Sequence, residues 1–365
     1  MAIKQIGFIG LGLIGGSIVK TTKRIHPDIR IIALSGRQST ITQAYQEGLI
    51  ENETNASIED FADCDYIFLC TPVQQNLIYM KQLKDIMKKD CILTDVGSVK
   101  GDIHRAIEEF GMESCFIGGH PMAGSEKTGL SNATPYLLEN AYYIITPTST
   151  VNSKRVDEFR DFVASLGAIP MILDYNSHDA ATAAISHLPH VIASALVNLV
   201  EKSDDQNETM KTIAAGGFKD ITRIASSSPV MWEEICLTNK EQLLHMIDSY
   251  QNGLTDIREK IENSKGTDIR SFFQNAKDYR DSLAVAPKSS IRTVFELYCD
   301  LIDEAGGIAT IATILASNNL SIKNIGIIHN REFEDGVLKI EMYDQPSYDK
   351  TITLLRKYHY TVYER

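Results

Sequence analysis

Residues 118–129 read GGHPMAGSEKTG, and their only ring that titrates near neutral pH, His120, stands where neither helical nor strand periodicity accounts for it. A histidine is the usual general base near pH 7, because its unperturbed pKa lies there. The run CFIGG before it is apolar, so His120 is expected at the end of a buried strand. TDVGSVKG delivers Ser98 in the same way, either to a substrate or as the cap of a helix starting near Lys100. SHLPH places His187 and His190 three apart at a helix start, with His178 upstream. No cysteine or carboxylate completes a zinc site at recognisable spacing, so pocket, supporting or capping roles are expected of these rings rather than metal binding. In AAGGFKDITRIASSSP, Asp220 and Arg223 share a face if the segment is helical. They read as a surface ion pair or as part of a bidentate carboxylate clamp, with Glu126 as a competing partner for Arg223.

Those residues need a scaffold, and the N-terminus begins one. GFIGLGLIGGS carries Gly10, Gly12 and Gly15 between an apolar strand and a helical stretch. This is the dinucleotide-binding pattern, in which the helix N-terminus, here around Leu13 and Ile14, stabilises the pyrophosphate. CTPVQQ brings Thr71 and Pro72 to the same edge of the sheet. At the end of the second strand, LSGRQST has Ser35 and Arg37 where NAD-binding folds usually carry an acid. Serine and arginine suit a 2′-phosphate, hence NADP. Alternatively Arg37 lies over the adenine as a planar cation.

The runs IGFIG, IRIIAL, YIFLC, CILTD, CFIGG and AYYIIT are apolar throughout, as strands of a doubly covered parallel α/β sheet would be. This predicts a dinucleotide-binding domain over 1–172. From 173 to 285 the spacing turns helical. Leu188, Val191, Ile192, Ala195, Leu196, Leu199 and Val200 form one stripe, expected to bury itself against a second copy. Pro229 should open a later helix. AVAPKSS reads as a linker, and 290–365 reads β-α-β-β-α-β, a ferredoxin-like unit.

The chain has 365 residues and a formal charge of −12, which argues against a nucleic-acid surface. Six cysteines show no C-x-x-C pair, as expected of reduced thiols in a cytoplasmic protein. No leader is expected ahead of the first strand. VIASALVNLV, interrupted by Ser194 and Asn198, is expected to be too short for a bilayer.

GLGLIGGS, TDVGSVKG, GGHPMAGSEKTG, SHLPH and AAGGFKDITRIASSSPVMW, in that order, make the chain resemble prephenate dehydrogenases with a C-terminal ACT domain. The resemblance implies a Rossmann-type domain, an all-helical dimerisation domain and an ACT domain. It also implies NAD-dependent oxidative decarboxylation of prephenate to 4-hydroxyphenylpyruvate in a homodimer. On that reading His120 takes the hydroxyl proton, Ser98 orients the hydroxyl and Arg223 holds a carboxylate. Ser125, Glu126, Asp220, His178, His187 and His190 would line or support the pocket. L-Tyrosine is the implied effector, at Asp303, Gly307, Ile308 and Asn324. Arogenate is the competing substrate. A different hydroxyacid dehydrogenase would lean on a lysine in the helical part, and a non-catalytic sensor would need neither His120 nor Arg223.

Overall fold

Apolar runs of the first 170 residues become strands whose alternate residues enter two different cores. The computed structural model describes residues 3–124, 127–283, 295–301, 306–328 and 336–364. They fall into two units, residues 1–269 and 270–365.

In the first unit, β1 (Gln5–Ile9), α1 (Leu13–Ile25), β2 (Arg30–Leu34), α2 (Gln38–Gln46), β3 (Tyr66–Leu69), α3 (Val73–Leu83), β4 (Ile92–Asp95) and α4 (Gly101–Phe110) follow in order. The sheet order is β2-β1-β3-β4, all parallel. Ile6, Phe8, Ile31, Tyr66 and Phe68 enter one core, whereas Ile9, Ile32, Ile67, Leu69 and Leu93 enter the other. Covering both faces is what makes such strands read as unbroken apolar runs.

Three more strands follow: β5 (Ile117–Pro121), β6 (Tyr142–Pro147) and, after α5 (Ser153–Ser165), β7 (Ile169–Ile172). A parallel bridge between Leu93 and Phe116 sets β5 beside β4. The expected parallel pattern breaks here, because β5 and β6 pair antiparallel while β6 and β7 are parallel. Only a short 3₁₀ turn, Leu130–Asn132, is formed among the described residues joining β5 to β6. A parallel return would need a crossover element. β7 was absent from the expected strands, since IPMI is short, holds a proline and is partly exposed.

The helical part opens with α6 (Tyr175–Thr182), a π-turn at Ala183–His187 and α7 (Leu188–Ser203). Together these form one helix from Tyr175 to Ser203, so SHLPH lies inside a helix and not at its start. The physical reason is the π-turn. Pro189 lacks an N–H and would crowd the carbonyl four residues back, and a widened turn just before it absorbs the defect. This 29-residue helix is long and apolar enough to cross a membrane by length and composition, which corrects the shorter span expected from the sequence. Only 17% of its most apolar window is buried. Then come α8 (Thr209–Ile213), α9 (Gly216–Thr222), α10 (Pro229–Thr238) and α11 (Lys240–Glu262). Pro229 does open α10. α12 (Gly266–Ser282) begins in this unit.

The second unit holds β8 (Phe295–Leu301), α13 (Gly307–Ser317), β9 (Ile322–Ile328), β10 (Gly336–Met342), α14 (Gln345–Lys357) and β11 (Val362–Glu364). Its antiparallel order, β11-β8-β10-β9, is the ferredoxin-like arrangement expected. Leu297, Cys299, Leu338 and Ile340 pack from the sheet against Ile311, Leu315, Ile352 and Leu355 of the two helices. Gly307 opens α13, Ile308 is exposed, and exposed Asn324 pairs with Glu341 across the β9–β10 ladder. Asp303 and the whole of the expected linker lie outside the described residues.

Candidate active site

The carboxyl ends of β1, β3, β4 and β5 form one edge, and the residues singled out from the sequence collect along it. At β1 the backbone of Gly10 takes a φ of +103°, and a Cβ there would lie 2.7 Å from the Cys70 carbonyl oxygen. A Cβ on Gly15 would lie 2.4 Å from the Gly10 oxygen, so α1 packs on the loop only as glycine. Gly12 faces open space, and the first turn of α1, with Leu13 and Ile14, has no acidic residue and no side-chain cap. That is the cradle a pyrophosphate needs. Beside it, Thr71 Oγ1 donates to Asn76 Oδ1 at 2.5 Å, while the buried Asn76 Nδ2 has no hydrogen-bond partner among the described residues. Pro72 precedes α3, whose Val73 N–H donates to Glu234 of α10 at 2.8 Å. At the end of β2, the Ser35 N–H donates to Asn55 Oδ1 at 2.8 Å, and Arg37 stands exposed at the start of α2.

β4 and β5 are tied together beneath His120. The Lys100 ammonium, fully buried, pairs with fully buried Asp95 and donates to the Gly119 carbonyl at 2.7 Å. Asp95 in turn accepts from Gly97 N–H at 2.9 Å and Gly119 N–H at 3.2 Å. Burial pulls the Lys100 pKa down, and Asp95 opposes it. The donors at the start of α4, which Ser98 would take on the capping reading, are taken instead by Asp179 of α6. Its carboxylate accepts from Lys100 N–H at 2.8 Å and Gly101 N–H at 2.7 Å. Ser98 itself remains half-buried on the β4–α4 loop.

His120 lies at the end of β5, half-buried, with Nδ1 2.8 Å from Nε2 of His178. The buried His178 ring has Nδ1 2.7 Å from Asp179 Oδ1. Burial pushes the His120 pKa well below its ordinary value, helped by His178, Lys100 and His187. The ring is therefore neutral at pH 7, as a base must be.

His187 is buried in the π-turn, where its Nδ1 lies 3.1 Å from Asn239 Nδ2. Asn239 also donates to the Asp179 carbonyl at 2.9 Å. His190 stacks on Trp232 at 3.9 Å between centroids, and its Nδ1–H donates to the Ser186 carbonyl at 2.9 Å. Asp220 ends up in α9, and Arg223 opens the 3₁₀ turn that follows. Both are exposed, and the turn packs against α7. Ser125 and Glu126 lie outside the described residues. Sequence reasoning missed Asp95, Lys100, Asp179, Trp232, Glu234 and Asn239. Lys100 was visible inside TDVGSVKG, and Asp179 as the neighbour of His178.

Two buried histidines, His104 and the His187 already described, make the fold acid-sensitive. Burial lowers the pKa of His104 and of His187 to about 4. His104 is held by Thr146 Oγ1 at 3.0 Å and stacks on Tyr175. Their neutral forms are favoured by folding, whereas the unfolded chain protonates them below about pH 6.5. Stability is therefore complete above pH 6.5 and declines as the pH falls towards 4, by up to about 3 kcal/mol per ring. Urea midpoints at pH 7.5 and pH 4.5 should show the loss, and His104→Phe should reduce it. Equal midpoints for the unmodified protein would remove this account.

A dinucleotide cradle and a neutral histidine on one sheet edge define a nucleotide-dependent dehydrogenase. The family model "Prephenate dehydrogenase, nucleotide-binding domain" matches residues 18–171, and "Prephenate dehydrogenase, dimerization domain" matches 174–275. The chain belongs to the prephenate dehydrogenase family. It is 37% identical to the prephenate dehydrogenase of Bacillus subtilis (strain 168), over 91% of this chain and 90% of that protein. With the Lactococcus lactis subsp. cremoris (strain MG1363) prephenate dehydrogenase it shares 35% identity over 93% of each. The solved structure of the A. aeolicus prephenate dehydrogenase with hydroxyphenyl propionate and NAD+ is 31% identical. It aligns with a TM-score of 0.73 over 78% of this chain and 99% of that one.

Proposed function

We propose a division of labour among these residues in the NAD-dependent oxidative decarboxylation of prephenate to 4-hydroxyphenylpyruvate. The chain is an oxidoreductase acting on prephenate, and NAD, when bound along Gly10, Gly12 and Gly15, accepts the hydride. As hydride leaves the hydroxyl-bearing carbon, His120 takes the hydroxyl proton and Ser98 orients the hydroxyl. The ring carboxylate departs as carbon dioxide and its bonding pair enters the ring, which becomes aromatic. His120 then returns the proton to the phenolate oxygen. The observation that carries this reading is the neutral His120 on the same edge as the glycine loop.

Arg223 holds a substrate carboxylate, with Asp220 and Glu126 adjusting access to it, and Ser125, His187 and His190 belong to the pocket or its support. Arg223→Ala should raise KM for prephenate roughly 10- to 100-fold, the cost of one charge-assisted contact, with kcat changed only a few-fold. An unchanged KM would take Arg223 out of the pocket.

The working organisation is a cytoplasmic homodimer with a dinucleotide domain over 1–172, a helical dimerisation domain over 173–285 and an ACT domain over 290–365. The apolar stripe of α7, with Ala195 and Leu199 exposed and the rest only half-buried, supports the dimer. L-Tyrosine acts as feedback effector at Asp303, Gly307, Ile308 and Asn324 by favouring a state that binds prephenate less well. The test is reduced-nicotinamide formation with prephenate or arogenate and NAD or NADP, in all four pairings. Prephenate with NAD should turn over fastest, which assigns Arg37 to the adenine, and added L-tyrosine should slow it. Preference for NADP would make Ser35 and Arg37 a 2′-phosphate site, and turnover of arogenate alone would rename the substrate.

A further inference from the structure

We propose that Asp179, acting through His178, is a positioning residue that fixes the proton of His120 on Nδ1, leaving Nε2 bare as the basic atom. This rests on the reading of His120 as the base. The direction of every hydrogen bond in the chain follows from one end. Both oxygens of Asp179 accept backbone N–H groups, Oδ1 from Lys100 and Oδ2 from Gly101. Hydrogen bonds donated to both oxygens favour the carboxylate form, which has no proton to give. His178 Nδ1, 2.7 Å from Oδ1, must therefore be the donor. With its ring proton on Nδ1, His178 presents a bare Nε2, which accepts at 2.8 Å from the Nδ1–H of His120. A neutral imidazole with its proton on Nδ1 offers its only lone pair at Nε2.

The geometry is interlocked. Asp179 comes from α6 of the helical part, yet it caps α4 of the nucleotide-binding part. Its own backbone carbonyl is held by Asn239, which also fixes His187. Other charged or titratable groups around His120 are Lys100, bonded to the preceding residue, and His187. Among the described residues neither has a hydrogen bond to the His120 ring, so the contact that sets the tautomer there is the one to His178. When His120 takes the substrate proton, both its nitrogens carry N–H. The resulting cation is stabilised through His178 by the Asp179 charge, and no second proton need move.

The experiment compares His120→Asn, Asp179→Asn, His178→Phe and His178→Gln as full-length proteins, each checked for native circular dichroism. Replacing the orienting carboxylate of a serine-protease triad by its amide costs about 10⁴-fold in kcat. With a ring interposed, Asp179→Asn and His178→Phe should each lower kcat roughly 100-fold. KM for prephenate should change less than about threefold, and the acid limb of the kcat/KM profile should move. Glutamine places an acceptor where His178 Nε2 stands, so His178→Gln should recover about tenfold over His178→Phe. Should Asp179→Asn fail to fold because α4 loses its cap, the two His178 variants decide the matter. If His120→Asn is inactive but His178→Phe keeps wild-type kcat and pH profile, or His178→Gln is no better than His178→Phe, the positioning role is wrong while the base stands. An active His120→Asn would overturn the base itself, and this proposal with it.

Discussion

His120→Asn should lower kcat by about 10²–10⁴-fold, the usual contribution of a positioned base, while leaving the dissociation constant for NAD within about threefold. Asparagine can still accept a hydrogen bond, so the substrate hydroxyl keeps a partner and KM should move little. What it cannot do is carry a proton near neutral pH. The dinucleotide cradle around Gly10, Gly12 and Gly15 belongs to β1 and α1, away from the substituted ring on β5. Single-turnover hydride transfer together with NAD titration measures both quantities. Retention of more than a tenth of wild-type kcat would assign proton removal to another group.

Lys100→Met is expected to have the largest effect on stability. It removes the one cation paired with Asp95 among the described residues and leaves that carboxylate's charge, which has no exposure, buried. Breaking such a pair from one side typically costs about 3–5 kcal/mol, a large share of the stability of a domain. The Gly97 and Gly119 amides still donate to Asp95, but they carry no compensating charge. Lys100→Met/Asp95→Asn should recover part of the loss, since the uncompensated charge is then gone. Urea denaturation of the two single variants and the double variant tests this. A Lys100→Met protein within about 1 kcal/mol of wild type would show that water or a protonated Asp95 relieves the charge. Lys100 also bonds the carbonyl of Gly119, next to His120, so turnover should fall with stability.

Elements were legible in the sequence where their signal was local. Strands covered on both faces announced themselves as apolar runs, and the glycine loop as three glycines at fixed offsets. His120 was found because it follows a strand, which is a statement about adjacent residues. Strand direction has no such signature: AYYIIT reads alike whichever way it runs, and the reversal between β5 and β6 went unseen. SHLPH was read as a helix start because a proline usually marks one, and nothing local foretold the π-turn that lets the helix continue. The support around His120 was harder still. Asp179 reaches α4 across 78 residues of chain, and Asn239 reaches the Asp179 carbonyl across 60. Lys100 was in plain view, but a lysine with no exposure is rare enough that composition argues against expecting one.

The helix from Tyr175 to Ser203 has one more consequence. It carries the His178–Asp179 pair near one end and the half-buried apolar stripe further along, whose far end at Val200 lies about 30 Å away at 1.5 Å per residue. A helix transmits a push along its axis where a loop would absorb it. Whatever seats against the stripe therefore has a lever on the imidazole. On the homodimer proposed above, dilution into monomers should show itself as a slower enzyme rather than a weaker binder.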